Sequence, residues 1–208
     1  MKKLVFILFI IILSFILYCT FRSPQDVHFH HFPKNSDGAM SWTLCKPPTE
    51  CFTALFPKEP TQKSRTLTPE RDEHSLNCNE YAADLEQNKH FSISYTQLPQ
   101  RWLKYGHTLV LNGALKAIMQ ERGKVSLVGK KRTTFKSFPA LDYEHYNGKE
   151  ESSGVLVLVG PILYKVEVTY PMDLHDEVQE ELENFIGNFN PSQSPQIASL
   201  EVDRLQHQ

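Results

Sequence analysis

The chain contains none of the short motifs that usually mark a catalytic or nucleotide-binding site. Its 208 residues hold no Gly-rich phosphate loop, no HExxH zinc motif, no GxSxG nucleophile elbow and no CxxC pair. Each of these motifs supplies one chemistry: backbone amides for phosphate, histidines for zinc, an activated serine, or paired thiols. Their absence argues against the common families built on them, and we expect a protein that is not an enzyme and needs no cofactor.

The chain also lacks an excess of positive charge. It carries 22 Lys and Arg against 24 Asp and Glu, and Lys2 and Lys3 stand apart at the N-terminus. The remaining part has 20 basic and 24 acidic residues, a net charge of −4. A nucleic-acid-binding domain needs a basic surface for its phosphate contacts, so we expect no nucleic-acid partner.

Long apolar runs are missing except at the N-terminus, where residues 4–21 are apolar apart from three small polar positions. A helix over this run would span about 27 Å, close to the thickness of a bilayer core. Lys2 and Lys3 precede it, and the positive-inside rule keeps them in the cytoplasm. We therefore predict an uncleaved transmembrane anchor over residues 1–21, with the rest of the chain in the bacterial periplasm and the membrane as one partner.

Two alternatives to a retained anchor stay open. A cleaved signal peptide needs a small-x-small site after its apolar core, but bulky Tyr18 and Phe21 occupy the candidate positions. The stretch Ile16-Leu17-Tyr18-Cys19 resembles a lipobox, in which Cys19 would be lipidated after cleavage, although Tyr18 stands where a small residue is usual. All three alternatives place a membrane-associated domain outside the cytoplasm.

Composition shifts divide the rest of the chain into three parts. Residues 22–41 contain two prolines and a glycine without sustained periodicity, which predicts a flexible linker. Residues 190–208 are rich in Ser, Gln and Pro and predict a disordered tail. Residues 42–189 have the length and apolar content of a single folded domain.

Three cysteines follow the anchor: Cys45, Cys51 and Cys78. Cys45 and Cys51 flank a proline-containing turn, so a disulfide between them is geometrically plausible in an oxidising compartment. Pairing of either one with Cys78, and three reduced buried thiols, remain open alternatives.

Periodicity within residues 42–189 predicts an α+β fold. Strand-like stretches cover residues 50–56, 76–85, 90–97, 125–134, 139–146, 155–159 and 162–170. Residues 58–72 are typical of a loop or an edge crossing, and residues 147–154 are typical of a polar hairpin loop. Apolar residues recur at helical spacing over 105–122 and 174–189, and Asp173 is placed to cap the second helix. We expect a mainly antiparallel sheet of about six or seven strands packed by two main helices.

The order of elements, the segment FTALFP at Phe52–Pro57 and the helix segment ELENF at Glu181–Phe185 resemble the PsbP-like α/β/α sandwich superfamily. That superfamily includes extrinsic photosystem proteins, a Ran-binding nuclear import factor and many bacterial exported proteins. The resemblance spans about residues 50–189. It implies a role in binding or assembly, and it carries no ligand residues over to this chain.

Several residue clusters have types that could carry chemistry. His28, His30 and His31 lie together in the linker and are weak metal-site candidates, because no acidic or cysteine partner is near. His74 and Cys78 are too far apart on a strand for a catalytic pair. Asp142 and Glu144 share one face of a predicted strand, as paired acid–base or calcium ligands would, but charged residues are common on the outward face of a sheet. We assign no catalytic or cofactor-binding residue.

These observations favour a membrane-tethered, non-catalytic binding or assembly module of the cell envelope, with a protein partner there. The first alternative is an extracytoplasmic hydrolase whose site forms only on folding, from His74, His90, His107, His145 and nearby acids. The second is a carrier that holds an apolar ligand between the sheet and the helix around Leu111 and Leu115.

Overall fold

A computed structural model describes residues 42–47, 52–67 and 75–191. The predicted anchor with Cys19, the linker with its three histidines, and Cys51, His74 and the tail after residue 191 lie outside the described residues. No helix within the described ranges is long and apolar enough to cross a bilayer. The anchor, the linker, lipidation of Cys19 and a metal site in the linker therefore stay predictions.

Seven strands form one antiparallel sheet in the order β3-β4-β5-β9-β8-β7-β6. Their bounds are β3 Thr61–Leu67, β4 Leu76–Asp84, β5 His90–Gln97, β6 Ser126–Phe135, β7 Phe138–Tyr146, β8 Glu150–Val159 and β9 Ile162–Pro171. The second half of β8, Val155–Val159, is apolar on both faces because a layer covers each face of the sheet, whereas β9 alternates between apolar and polar residues.

A second sheet of three short strands packs on one face of the large sheet. Strand β1 is Thr43–Cys45, β2 is Phe52–Phe56 and β10 is Asn190–Pro191, in the order β1-β2-β10. Pro191 pairs with Phe52 and is buried, so the ordered chain continues two residues past the expected domain boundary at 189.

Three helices occur in the described part of the chain: α1 Gln100–Leu103, α2 His107–Glu121 and α3 His175–Asn188. Helix α2 ends where predicted, because Gly123 adopts a φ of 76° just after the C-cap Arg122. Helix α3 starts at His175 with Leu174 at the N-cap, so the predicted cap by Asp173 is wrong. Asp173 instead lies in the 3-10 turn Met172–Leu174.

The two faces of the large sheet carry separate cores. Helix α3 and strand β2 cover one face, and the buried aromatic residues there are Phe52, Phe56, Tyr81, Phe91, Tyr164, Tyr170, Phe185 and Phe189. Helix α2 covers the other face, where Leu111 and Leu115 pack with Leu141, Tyr143 and Leu156. The α+β class, the mainly antiparallel sheet and the two packing helices are confirmed.

Two segments expected to be loops are strands. Residues 61–67 form the edge strand β3, which is polar because both of its faces are exposed to solvent. Strand β8 begins at Glu150, so Glu150–Gly154 belong to the sheet and not to a hairpin loop. The turn needs only three residues, since Asn147 Oδ1 accepts hydrogen bonds from the backbone N–H of Lys149 and Glu150 and Gly148 has a φ of 95°.

Candidate functional site

Buried polar side chains concentrate where β7, β8 and β9 run together at one end of the sheet. Alternation along β8 sends Ser152 to the α2 face and Glu151 and Ser153 to the α3 face. The same alternation on β7 sends His145 to the α2 face and Glu144 to the α3 face. The result is two polar clusters, back to back across the sheet.

The cluster on the α2 face is centred on Glu167 of β9, whose side chain is fully buried. Its carboxylate forms an ion pair with Arg122, accepts a hydrogen bond from Lys165 Nζ at 3.1 Å, and accepts one from Tyr143 Oη at 2.7 Å. His145 Nε2 lies 3.6 Å from Glu167 Oε2 and 3.2 Å from Arg122 Nη1. Both oxygens of Glu167 therefore have partners of their own.

Burial alone would raise the pKa of Glu167, because a charged carboxylate is costly to desolvate. Lys165, His145, Arg122 and Tyr143 outweigh that effect and hold the pKa well below its usual range. The pKa of Tyr143 is raised well above its usual value by burial and by the neighbouring carboxylate. Glu167 is thus an ionised, fully partnered group whose role is to tie the end of α2 to the sheet.

Gly154 makes room for this cluster at the centre of the sheet. It lies between Tyr143 and Glu167 in register. A Cβ atom at Gly154 would meet the Val166 carbonyl oxygen at 2.4 Å and the Glu167 Cβ at 3.1 Å. Strands β8 and β9 can therefore approach as they do here only because residue 154 has no side chain.

The cluster on the α3 face consists of Glu144 on β7, Glu151 on β8 and His175 at the start of α3. One potential ligand atom from each side chain lies within 4.8 Å of the other two. His175 Nδ1 is 3.0 Å from Glu151 Oε2 and 3.5 Å from Tyr170 Oη, which in turn is 3.2 Å from Ser153 Oγ. Three separate elements thus bring two carboxylates and an imidazole together.

This second cluster is less complete than the first. Glu151 is 7% exposed, and its Oε1 atom is buried without a hydrogen-bond partner. Burial first, and then hydrogen bonding to Glu151 and its charge, raise the pKa of Glu144 to about 7. Two ionised carboxylates can only accept hydrogen bonds, and their charges repel each other. Glu144 and Glu151 therefore interact favourably only while one of them is protonated or while a cation lies between them.

Of the residues singled out from the sequence, those outside the described ranges are Cys19, His28, His30, His31, Cys51 and His74. Asp142 and Glu144 do share a face of β7, but both are half-buried there and are not fully solvated as we expected. The pKa of Asp142 is raised to about 6 by burial. Cys45 and Cys78 are not bonded to each other, and burial raises the pKa of both thiols. The Cys45–Cys51 disulfide candidate stays a prediction because Cys51 is not described.

The histidines named for a hydrolase site do not converge among the described residues. His90 lies at the start of β5 with Asp84, 2.5 Å between Nδ1 and Oδ1. His107 begins α2, and His145 lies near Arg122 at the opposite end of that helix, which is about 22 Å long. His175, which the sequence did not single out, is on the other face of the sheet from His145.

Leu111 and Leu115 fill the space between α2 and the sheet in which the carrier hypothesis places an apolar ligand. Both side chains are 2% exposed and pack directly on the sheet. A cleft of about 340 Å³ opens beside the start of α2, and its lining combines the apolar residues Leu111, Pro139 and Ala140 with the polar residues His107, Thr108, Arg132, Thr133, Thr134 and Ser137. The carrier hypothesis therefore stays a prediction.

No protein-family model matches the chain, and no curated protein matches it by sequence. The structure is similar to the solution structure of cyanobacterial PsbP (CyanoP) from Synechocystis sp. PCC 6803, with a TM-score of 0.53. The similarity covers 77% of this chain and 98% of that chain at 12% sequence identity. The chain thus shares the PsbP-like fold, as its sequence resemblance implied, and at this identity the likeness concerns the fold alone.

Sequence reasoning missed Glu151 and His175 for identifiable reasons. The polar composition of Glu150–Gly154 indicates a loop, although counting back from Val155 in steps of two puts Ser153 and Glu151 on the same face of the strand as Val155. The sequence pattern marks His175 only as part of the start of a helix. Antiparallel pairing of β8 with β7 then brings Glu144 beside these residues.

Proposed function

We propose that the protein is a membrane-tethered, non-catalytic binding or assembly module that works outside the cytoplasm, in the bacterial cell envelope. Its proposed parts are an N-terminal anchor over residues 1–21, a linker over residues 22–41 and the folded domain that follows. The linker would hold the domain about 25 Å from the bilayer, given about 5–6 Å times the square root of its length. A partner would therefore lie in, or close to, the same membrane.

The observation that carries this proposal is the apolar run at residues 4–21 preceded by two lysines. A run of this length needs a bilayer or an export channel to accommodate it, and the lysines set its direction. The PsbP-like fold adds support, because binding and assembly are what membership in that superfamily implies.

The arrangement of reactive groups in the described residues also supports a non-catalytic role. Nucleophilic catalysis needs a nucleophile, a base and an orienting group within hydrogen-bonding reach. Burial raises the pKa of Cys45 and Cys78, which makes their thiols poorer nucleophiles. The histidines are separated along the sheet and across its two faces, and the most deeply buried carboxylate, Glu167, is neutralised by its own partners.

The experiment compares the tethered protein with a released form that is still exported. Residues 1–21 are replaced by a cleavable signal peptide, so that the same domain reaches the same compartment without its anchor. Both forms are cross-linked in cells and purified, and their partners are identified by mass spectrometry. We expect a membrane-associated partner that the tethered form recovers in larger amount. Equal recovery by the released form would contradict the proposed role of the tether.

A further inference from the structure

We propose that Glu144, Glu151 and His175 bind a divalent first-row transition-metal ion, with Zn²⁺ as the reference case. The site would lie on the α3 face of the sheet, at the junction of β7, β8 and the first turn of α3. This inference goes beyond the proposed function and does not rest on it, since the site is complete within the folded domain.

The geometry needs only a small contraction to hold an ion. The three ligand atoms lie within 4.8 Å of one another. Donor atoms around a tetrahedral zinc ion at about 2.0–2.2 Å are about 3.3–3.6 Å apart. Glu144 is half-buried and His175 is exposed, so rotation of these two side chains can supply the difference while Glu151 stays fixed in β8.

Glu151 provides the independent sign that a ligand is missing. Its side chain is more than nine-tenths buried, and no donor reaches Oε1 while Glu144 and Glu151 are both ionised. Glu167, which is also buried and lies on the other face of the sheet, has Arg122 and Lys165 as counter-charges. Among the described residues, neither Glu144 nor Glu151 forms an ion pair with a lysine or arginine. A bound cation would supply both the counter-charge and the missing partner.

The residues around His175 suit a metal ligand. Gln179 lies one turn further along α3, with its side-chain nitrogen 3.5 Å from His175 Nε2. The same nitrogen donates a hydrogen bond to the His175 backbone carbonyl at 3.2 Å, and the exposed Nε2–H of His175 can donate to water. The lone pair of Nδ1 then faces the two carboxylates, as a metal-binding imidazole requires.

The ligand types select the class of ion. An imidazole beside two carboxylates favours Zn²⁺, Mn²⁺ or a similar ion over Ca²⁺ and Mg²⁺, which prefer oxygen ligands throughout. The lack of a thiolate disfavours Cu⁺ and iron–sulfur clusters. Three protein ligands leave at least one coordination position open, and the His175 side chain is 46% exposed, so solvent or a partner's side chain can reach it.

The test is calorimetric titration of the full-length chain in detergent with Zn²⁺. The linker histidines could bind zinc themselves, so the parent for this experiment carries His28→Ala, His30→Ala and His31→Ala. We expect one ion per chain. Loss of a group that merely orients a ligand weakens binding about 10–100-fold, so Glu151→Gln and His175→Asn should each weaken it at least about 100-fold.

His90→Asn is the matched control, because His90 pairs with Asp84 elsewhere in the sheet and should leave zinc affinity unchanged. Near-UV circular dichroism establishes that each variant is folded. Because His175 is exposed, we expect His175→Asn to fold, and it tests the site even if Glu151→Gln does not fold. Absence of one-to-one binding in the parent would overturn the proposal. So would zinc affinity that survives His175→Asn, or tighter binding of Ca²⁺ than of Zn²⁺.

Discussion

Replacing Glu167 with Gln should destabilise the domain far more than an equal change at an exposed ion pair. The variant keeps the size of the side chain and removes its charge. Arg122 and Lys165 then face a neutral amide, and Tyr143 Oη loses the carboxylate oxygen that it contacts at 2.7 Å. Removing one partner from a buried ion pair costs about 3–5 kcal/mol.

The structure places Glu167→Gln at the lower end of that range. The Arg122 side chain is 30% exposed, so water can solvate part of its unpaired charge, whereas the Lys165 side chain is only 13% exposed. A loss of about 3 kcal/mol corresponds to a decrease in melting temperature of about 6–12 °C for a domain of this size. Near-UV circular dichroism, which reports on the buried tyrosines, can follow thermal unfolding of the full-length chain in detergent.

The pH dependence provides a second readout for the same variant. The folded pKa of Glu167 is well below its usual value, so its charge stabilises the fold above the unfolded pKa of about 4.3. That contribution disappears as the pH falls through the folded pKa. The difference between wild type and Glu167→Gln should therefore be largest at neutral pH and shrink in acid.

Glu121→Gln is the control for this experiment. Glu121 pairs with Arg65, and both side chains are 48% exposed, so the change should cost at most about 1 kcal/mol. If Glu167→Gln lowers the melting temperature no more than Glu121→Gln does, Glu167 is not the buried charge centre described above.

Three further predictions concern single sites. Asp142, whose pKa burial raises to about 6, binds its proton more tightly when folded, so stability should fall as the pH rises from about 4 to 6. Asp142→Asn should be more stable than wild type at pH 8 but not at pH 4, and equal differences at both would contradict this. Gly154→Ala should lower the free energy of unfolding by about 1–3 kcal/mol, because the new Cβ would overlap the Val166 carbonyl. Gly113→Ala, in the middle of α2, should raise it by about 0.5–1 kcal/mol, because a Cβ there meets no neighbouring atom within 4 Å. Phe185→Asp should unfold the domain, because the Phe185 ring contacts Phe56 and Phe91 at centroid distances of 5.1 and 5.2 Å. Glu183→Ala on the same helix should leave the domain folded. An unchanged melting temperature for Phe185→Asp would refute this packing.

The regular elements could be predicted because their periodicity follows directly from burial. Strand β9 alternates over its whole length, since one face packs under α3 and the other meets the α2 layer. The stripe containing Val178, Leu182 and Phe185 likewise predicted α3, because those side chains fill the core. Patterns of this kind arise wherever one face of an element is apolar.

The failures occur where buried groups are polar. Edge strand β3 has a polar sequence because neither of its faces is covered. Strand β8 begins with Glu150–Gly154, which resembles a loop in composition. Composition cannot separate a solvated carboxylate from Glu151, which is buried through contacts with residues distant in sequence. The site formed by Glu144, Glu151 and His175 therefore becomes visible only once the strands are paired.

Topology reporters fused to the C-terminus test the central proposal most directly. Alkaline phosphatase is active only after export, whereas green fluorescent protein reports a cytoplasmic location. In a bacterial host, the full-length chain should give phosphatase activity in the membrane fraction and little fluorescence. A control with Ile10→Arg and Ile11→Arg, which interrupts the apolar run, should reverse both signals. Fluorescence from the unaltered chain, without phosphatase activity, would contradict the proposed location outside the cytoplasm.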